Sequence, residues 1–195
     1  VIPMTTERIC RVVRVEGHTP YAEGLRLQEE ARQHLEATGE ETLLLLEHRA
    51  VITFGRRMNE ENVLLPREAL AARGVELFET NRGGDVTYHG PGQLVGYPVL
   101  DLNPDRRVLR RYMRDLEETL IRCCVVYGVN TTRCEGLTGV WTAKEPTEKI
   151  AALGVHVSRW ITSHGFAFNV TTALDAFELI VPCGIRGKGV TSLER

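Results

Sequence analysis

Residues 42–48 read TLLLLEH, four consecutive leucines with no polar residue alternating among them. A strand with one wet face alternates apolar and polar side chains, so a run this short and this uniformly apolar predicts a strand buried on both faces in the middle of a sheet. A chain that must cover both faces of a strand needs further elements above and below it. The flanking sequence supplies them. IleCys-type β-branched and charged mixing over residues 9–15 predicts an edge or half-buried strand. Thr19-Pro20 opens a helix, with Thr19 as N-cap, Pro20 in the first turn and Gly39 as its stop.

The same reading continues along the chain. AVITF (50–54) and VELFET (75–80) are short strands, separated by the helix REALAARG closed by Gly74. QLVGYPVLDL (93–102) is a strand with Pro98 at an edge or bulge. A long helix over about 105–127, capped by Asn103 or Asp105, carries Leu109, Tyr112, Met113, Leu116, Leu120 and Val125 on or near one face. VNTTRCE, GVWTA, KIAALGVHVS and RWITSHGFAFNV are four strands joined by tight turns, followed by a helical stretch near 172–179. Helices lie between the early strands and several strands run in series later, which predicts an α+β fold with a mixed, largely antiparallel sheet. With 195 residues and no repeat, linker or composition break, one domain spanning 1–195 is expected.

Composition excludes several function classes. Hydrophobic residues make up 43% and charged residues 26%, and a net charge of −2 argues against nucleic-acid binding by bulk electrostatics. Arg106, Arg107, Arg110, Arg111 and Arg114 cluster locally, as either a solvated helix face or a band for an acidic partner. No apolar run approaches the roughly 18 residues that span a bilayer, so no membrane partner is expected. Five cysteines without a CxxC pair or a leader lead us to expect a cytoplasmic protein with free thiols. No His, Cys or carboxylate spacing suits a metal.

Chemistry concentrates in three places. Cys183 lies in VPCGIRGKGV, among glycines and beside Arg186 and Lys188. Free backbone N–H groups and positive charge lower a thiol pKa, so Cys183 is either a nucleophile or an idle loop thiol. Lys149 opens the apolar strand KIAALGVHV, and there it either snorkels to solvent or points into a cleft. RGGDVTYHGPGQ (82–93) holds five backbone-special residues in twelve, too many for a strand and wrong for a helix. It matches neither GxxxxGK[ST] nor a GxGxxG fingerprint, so a nucleotide site has no positive support. His89 in that stretch and His164 in SHGFAFN could each line a pocket or serve as hydrogen-bonded structural residues.

These motifs resemble the lipoyl(octanoyl) transferases, the octanoyl-[acyl-carrier-protein]:protein N-octanoyltransferase family. The likeness runs through YAEGLRLQ, LLLLEH, TFGR, RGGDVTYHGPGQLVGYPVLDL, TGVWTAKEPTEKIAALGV, RWITSHGFAFNV, VPCGI and GVTSLE, in family order. The resemblance implies the catalytic fold shared with biotin and lipoate protein ligases, with no cofactor. It implies Cys183 as the acyl-accepting nucleophile and Lys149 as the lysine that lowers its pKa. It implies substrate binding by Arg82, Gly83, Gly84, Asp85, Val86, Thr87, Tyr88 and His89, by Ala152, Leu153 and Gly154, and by Gly165, Phe166 and Ala167. On this view the glycines of 82–93 let backbone pass close to a fatty chain, although residues alone give Asp85 no evident task. The implied donor is octanoyl-acyl carrier protein. The implied acceptors are the lipoyl domains of 2-oxoacid dehydrogenase E2 subunits and the glycine cleavage H protein. The family commonly runs on beyond SLER into a C-terminal helical segment, which we expect to be short or missing here. Two rivals share the features: an ATP-dependent lipoate or biotin ligase on the same fold, and a non-catalytic acyl-chain-binding module.

Overall fold

The computed structural model describes residues 8–145, 147–182 and 187–195. In chain order they form β1 (Cys10–Thr19), α1 (Tyr21–Thr38), β2 (Glu41–His48), β3 (Val51–Phe54), α2 (Arg67–Ala72), β4 (Glu76–Glu79), β5 (Val86–His89) and β6 (Gln93–Val99). Then come α3 (Leu109–Val126), β7 (Thr131–Cys134), β8 (Leu137–Thr142), β9 (Glu148–Ser158), β10 (Ile161–Asn169) and β11 (Gly189–Val190). Short 3₁₀ helices occupy Glu60–Asn62 and Leu174–Leu179.

Among the described residues one sheet has the order β1-β2-β6-β10-β9-β8-β7, with β11 added beside β9. β1 with β2 and β11 with β9 are parallel, and the other pairs of this sheet are antiparallel. This is the mixed, largely antiparallel α+β arrangement that the sequence predicts. The leucine run is an inner strand, between β1 and β6. Leu44 and Leu46 are buried under α1 with Ala31, Leu35, Val95 and Tyr97, whereas Leu43 and Leu45 on the other face are only half-buried. α3 covers the opposite face, where Leu120 and Cys124 pack on Val140, Ile150 and Phe168.

A second, three-stranded sheet, β4-β3-β5, is not foreseen from the sequence. Its last strand, VTYH, lies inside the glycine-rich stretch and is fully buried. The special residues bracket that strand rather than fill it: Gly84 before and Gly92 after have positive φ, at 91° and 80°. Alternation then sorts β5. Val86 and Tyr88 pack with Ile52, Phe54, Leu70 and Phe177, and Thr87 and His89 face the large sheet.

Two helix starts differ from expectation. Thr19 does not cap α1; it ends β1 opposite His48, and Pro20 takes the cap position without a side-chain bond. α3 begins at Leu109 because the preceding polar residues are tied elsewhere. Glu41 accepts from the Asp101 N–H at 3.0 Å and from Arg106, and Asp101 accepts from the Asn103 N–H at 2.8 Å. Tyr112, Leu116 and Leu120 of the expected face are buried, whereas Leu109 and Val125 are exposed, and α3 also buries Glu117, which accepts from Arg114, Arg133 and the Gly139 N–H. Pro98 sits at an interruption of the β6–β10 ladder. There the Thr162 hydroxyl donates to Pro98 O at 2.7 Å and accepts from the Leu100 N–H at 3.0 Å.

Candidate active site

Where the small sheet meets the large one, an apolar slot is lined by Arg82, Gly83, Gly84, Thr87, His89, Ala152, Leu153, Gly154, Gly165, Phe166 and Ala167, together with Tyr21, Val95, Tyr97 and His164. The three stretches singled out in the sequence therefore converge. Their contact is made by backbone. The Gly83 N–H donates to Val155 O at 2.9 Å, and a Cβ on Gly154 would lie 2.9 Å from Gly83 O. Arg82 is buried, with its guanidinium donating to Thr53 O, the Thr53 hydroxyl and Gly83 O. Val86 and Tyr88 do not reach the slot, since they occupy the other face of β5. Asp85 is turned away too. Its carboxylate accepts from the Asn59 N–H at 2.9 Å and from the Asn62 side chain, pinning the 55–62 loop against an outer cleft.

Aromatic and imidazole rings close the inner end of the slot. Tyr21 lies 5.0 Å from His48 and 6.1 Å from His89, and Tyr97 meets His164 edge-on at 6.1 Å. His48 donates from Nδ1 to Thr19 O at 3.0 Å and accepts the Tyr97 hydroxyl at Nε2 at 2.6 Å. Gly24 of α1 makes room for this pair, because a Cβ there would lie 2.6 Å from His48 Cε1. The Gln93 amide N–H₂ donates to Asn169 Oδ1 at 2.9 Å, so its oxygen faces His89 Nδ1 at 2.8 Å and makes that nitrogen the protonated one. Asn169 in turn donates to Thr191 O, and the Thr191 N–H donates to Lys149 O, both at 3.0 Å. A continuous polar chain thus links the slot wall to the strand that follows residues 183–186.

Burial holds these rings neutral. Desolvation lowers His48 and His164 to about 4 and pushes His89 well below the usual 6.5. It raises Tyr21 to about 12 and Tyr97 well above its ordinary value. The sign of the linkage follows. Above pH 6.5 the three imidazoles are neutral both folded and unfolded, and their contribution to stability is fully present. As pH falls from about 6.5 towards 4, the unfolded chain protonates first and stability declines. Each histidine contributes a slope of up to about 1.4 kcal/mol per pH unit. Denaturant melts at pH 7, 6 and 5 should show a falling midpoint with approaching three protons taken up on unfolding; a flat profile over that range would contradict this picture.

Lys149 does not snorkel. It is 6% exposed, and its Nζ sits 4.7 Å over the Trp141 ring. Its side chain borders the outer cleft, with Leu109, Met113 and Leu137, and also an inner cavity lined by Thr87, Gln93, Ala152, Ala167, Asn169, Pro182 and Val190. Thr87, Ala152 and Ala167 also line the slot, so the cavity beside the lysine and the slot share a wall. Pro182 and Val190 flank the segment that carries Cys183; Cys183 itself lies outside the described residues. Among the described residues no group of three or more metal-ligating side chains occurs, and no helix is long and apolar enough to cross a membrane.

Sequence reasoning did not single out Tyr21, His48, Gln93, Tyr97, Trp141 or Asn169. The available signal was the glycine inside α1, unfavourable in a helix unless something packs against it.

Residues 20–195 match the model of the lipoyl protein ligase A/B catalytic domain. An octanoyltransferase of Koribacter versatilis is 57% identical over 183 residues, covering 91% of this chain and 72% of that protein. An octanoyltransferase of Acidobacterium capsulatum is 56% identical over 192 residues, covering 91% and 77%. Among solved structures, lipoate-protein ligase A bound with ATP superposes with a TM-score of 0.71 at 17% identity, covering 96% of this chain and 76% of that one. At such identity the superposition speaks for the fold, and the family match with the closer relatives speaks for the chemistry: this chain belongs to the lipoyl protein ligase A/B catalytic domain family, alongside its octanoyltransferases.

Proposed function

We propose that the chain moves an octanoyl group from acyl carrier protein to the target lysine of lipoyl domains, through a thioester on Cys183. The acceptors on this reading are the lipoyl domains of 2-oxoacid dehydrogenase E2 subunits and the glycine cleavage H protein. One observation carries it. Lys149 borders both the outer cleft and the inner cavity that shares Thr87, Ala152 and Ala167 with the apolar slot, beside the two residues that flank the Cys183 segment. That is where a thioester carbonyl must lie if its alkyl tail fills the slot and its carrier stays outside.

The Cys183 thiolate attacks the octanoyl carbonyl, and the carbonyl–sulfur bond to the carrier breaks. The departing carrier thiolate takes a proton from the Lys149 ammonium. The acceptor amine then attacks the enzyme thioester and forms the amide, while Cys183 leaves as thiolate and the amine proton passes to Lys149. No ATP is consumed, since the thioester is already activated. The neutral rings and glycine backbone offer the tail a dry wall, and each buried methylene contributes about 0.8 kcal/mol.

Intact mass after incubation with octanoyl-acyl carrier protein tests the reading. One octanoyl adduct confined to Cys183, absent in Cys183→Ala and discharged by a lipoyl domain, is the expected result. Product from free octanoate and ATP, with no adduct, would favour a ligase. A Cys183 inert to iodoacetamide would favour a non-catalytic binding module.

A further inference from the structure

Behind the slot lies a second cleft, polar and open, lined by Gln28, Arg32, Asn81 and Arg159 among others. Among the described residues His164 alone borders both spaces. Two contacts hold its ring and a third holds its backbone. Nε2 bonds Asn81 Oδ1 at 2.7 Å, the backbone N–H donates to Gln28 Oε1 at 2.7 Å, and the ring stands edge-on to Tyr97. It is 3% exposed, yet Nδ1 has no hydrogen-bond partner among the described residues. The backbone is unusual as well: His164 has a φ of 54° in the middle of β10, across from Pro98 at the gap in the β6–β10 ladder. Glycine fits that conformation without strain, and a histidine there accepts strain to place a ring at one spot.

We propose that His164 is the chain-length stop of the slot, a specificity-determining residue whose imidazole separates the acyl chain from the cleft behind. The inference rests on the acyl-slot reading above and deepens it. With the ring in place, a chain much longer than the slot meets a buried, anchored wall. With it removed, the slot opens into the cleft, and the surplus methylenes pass between Leu25 and Ile161 towards solvent.

His164→Gly suits the local φ and His164→Asn tolerates it, so both variants should fold. Asn81→Ala, at an exposed position, only frees the ring from its anchor. Calorimetry with octanoic, dodecanoic and hexadecanoic acid supplies the readout. The hexadecanoic-to-octanoic affinity ratio should rise at least about tenfold in the glycine and asparagine variants, and less but in the same direction in Asn81→Ala. Leu120→Ala, in the core under α3 and outside the slot lining, loosens the fold elsewhere and should leave the ratio alone. An unchanged ratio in all three test variants overturns the proposal, and so does an equal shift in Leu120→Ala, which would mark general loosening. Binding does not require turnover: a wild type that binds octanoic acid but forms no adduct sinks the transfer reading and leaves the length test intact.

Discussion

Lys149→Ala should lower octanoyl transfer by roughly two to four orders of magnitude, the range of a lost proton shuttle. Cys183→Ala should lower it at least as far. The informative result is the double variant, expected to be no worse than Cys183→Ala, because two groups serving one covalent step do not contribute independently. The position of Lys149 makes the prediction specific. Its ammonium lies against the Trp141 ring in a buried site, an arrangement that holds a cation without putting it into bulk water. Replacing it with alanine also leaves Gly139 and Trp141 facing new space, since a Cβ on Gly139 would lie 3.3 Å from Lys149 Cε. A melting curve must therefore accompany the kinetics. Slower alkylation of Cys183 by iodoacetamide at neutral pH, in a Lys149→Ala protein that still melts cooperatively, separates loss of thiolate stabilisation from loss of fold. An unchanged alkylation rate would remove the lysine from its assigned role.

How much of this was legible in the sequence varies from element to element. β7 to β10 were readable as four runs with tight turns, because sequential antiparallel strands place the partner next in the chain. Even the β9–β10 turn, where Arg159 and Trp160 have φ of 50° and 66° without a glycine, is fixed by its neighbours. The small sheet was not readable. β3, β4 and β5 are four residues each and pair across intervals that contain a helix and a loop, so periodicity shows a face but not a partner. The same limit hid half of the slot wall. RGG stands out by composition, and ALG and GFA only through the family resemblance, whereas His48 and Tyr97 become neighbours only when β2 pairs with β6. Asp85 was opaque for a related reason: its partners, Asn59 and Asn62, sit in a loop with no pattern of its own.

The glycines of the slot should divide into those the fold needs and those the ligand needs. Gly165→Ala is expected to be severe. A Cβ there would lie 2.2 Å from Gly96 O and 2.5 Å from Pro98 Cδ, a backbone atom and a closed ring that have no rotamer to adopt. Relief requires β10 to move away from β6, against a ladder that runs from the Phe166–Gly96 pair to Asn169–Gln93. A cost of about 3 kcal/mol or more is the scale for overpacking of this kind. For a chain of this size that lowers the melting temperature by on the order of 10 °C. Gly83→Ala is the contrast, since its Cβ would meet only Val155 O at 3.4 Å. It should melt close to wild type, and any loss of octanoic acid affinity then reports on the slot. If Gly165→Ala melted with the wild type, the close approach of β6 and β10 that shapes the slot would be wrong, and with it the reason a glycine stands between His164 and Phe166.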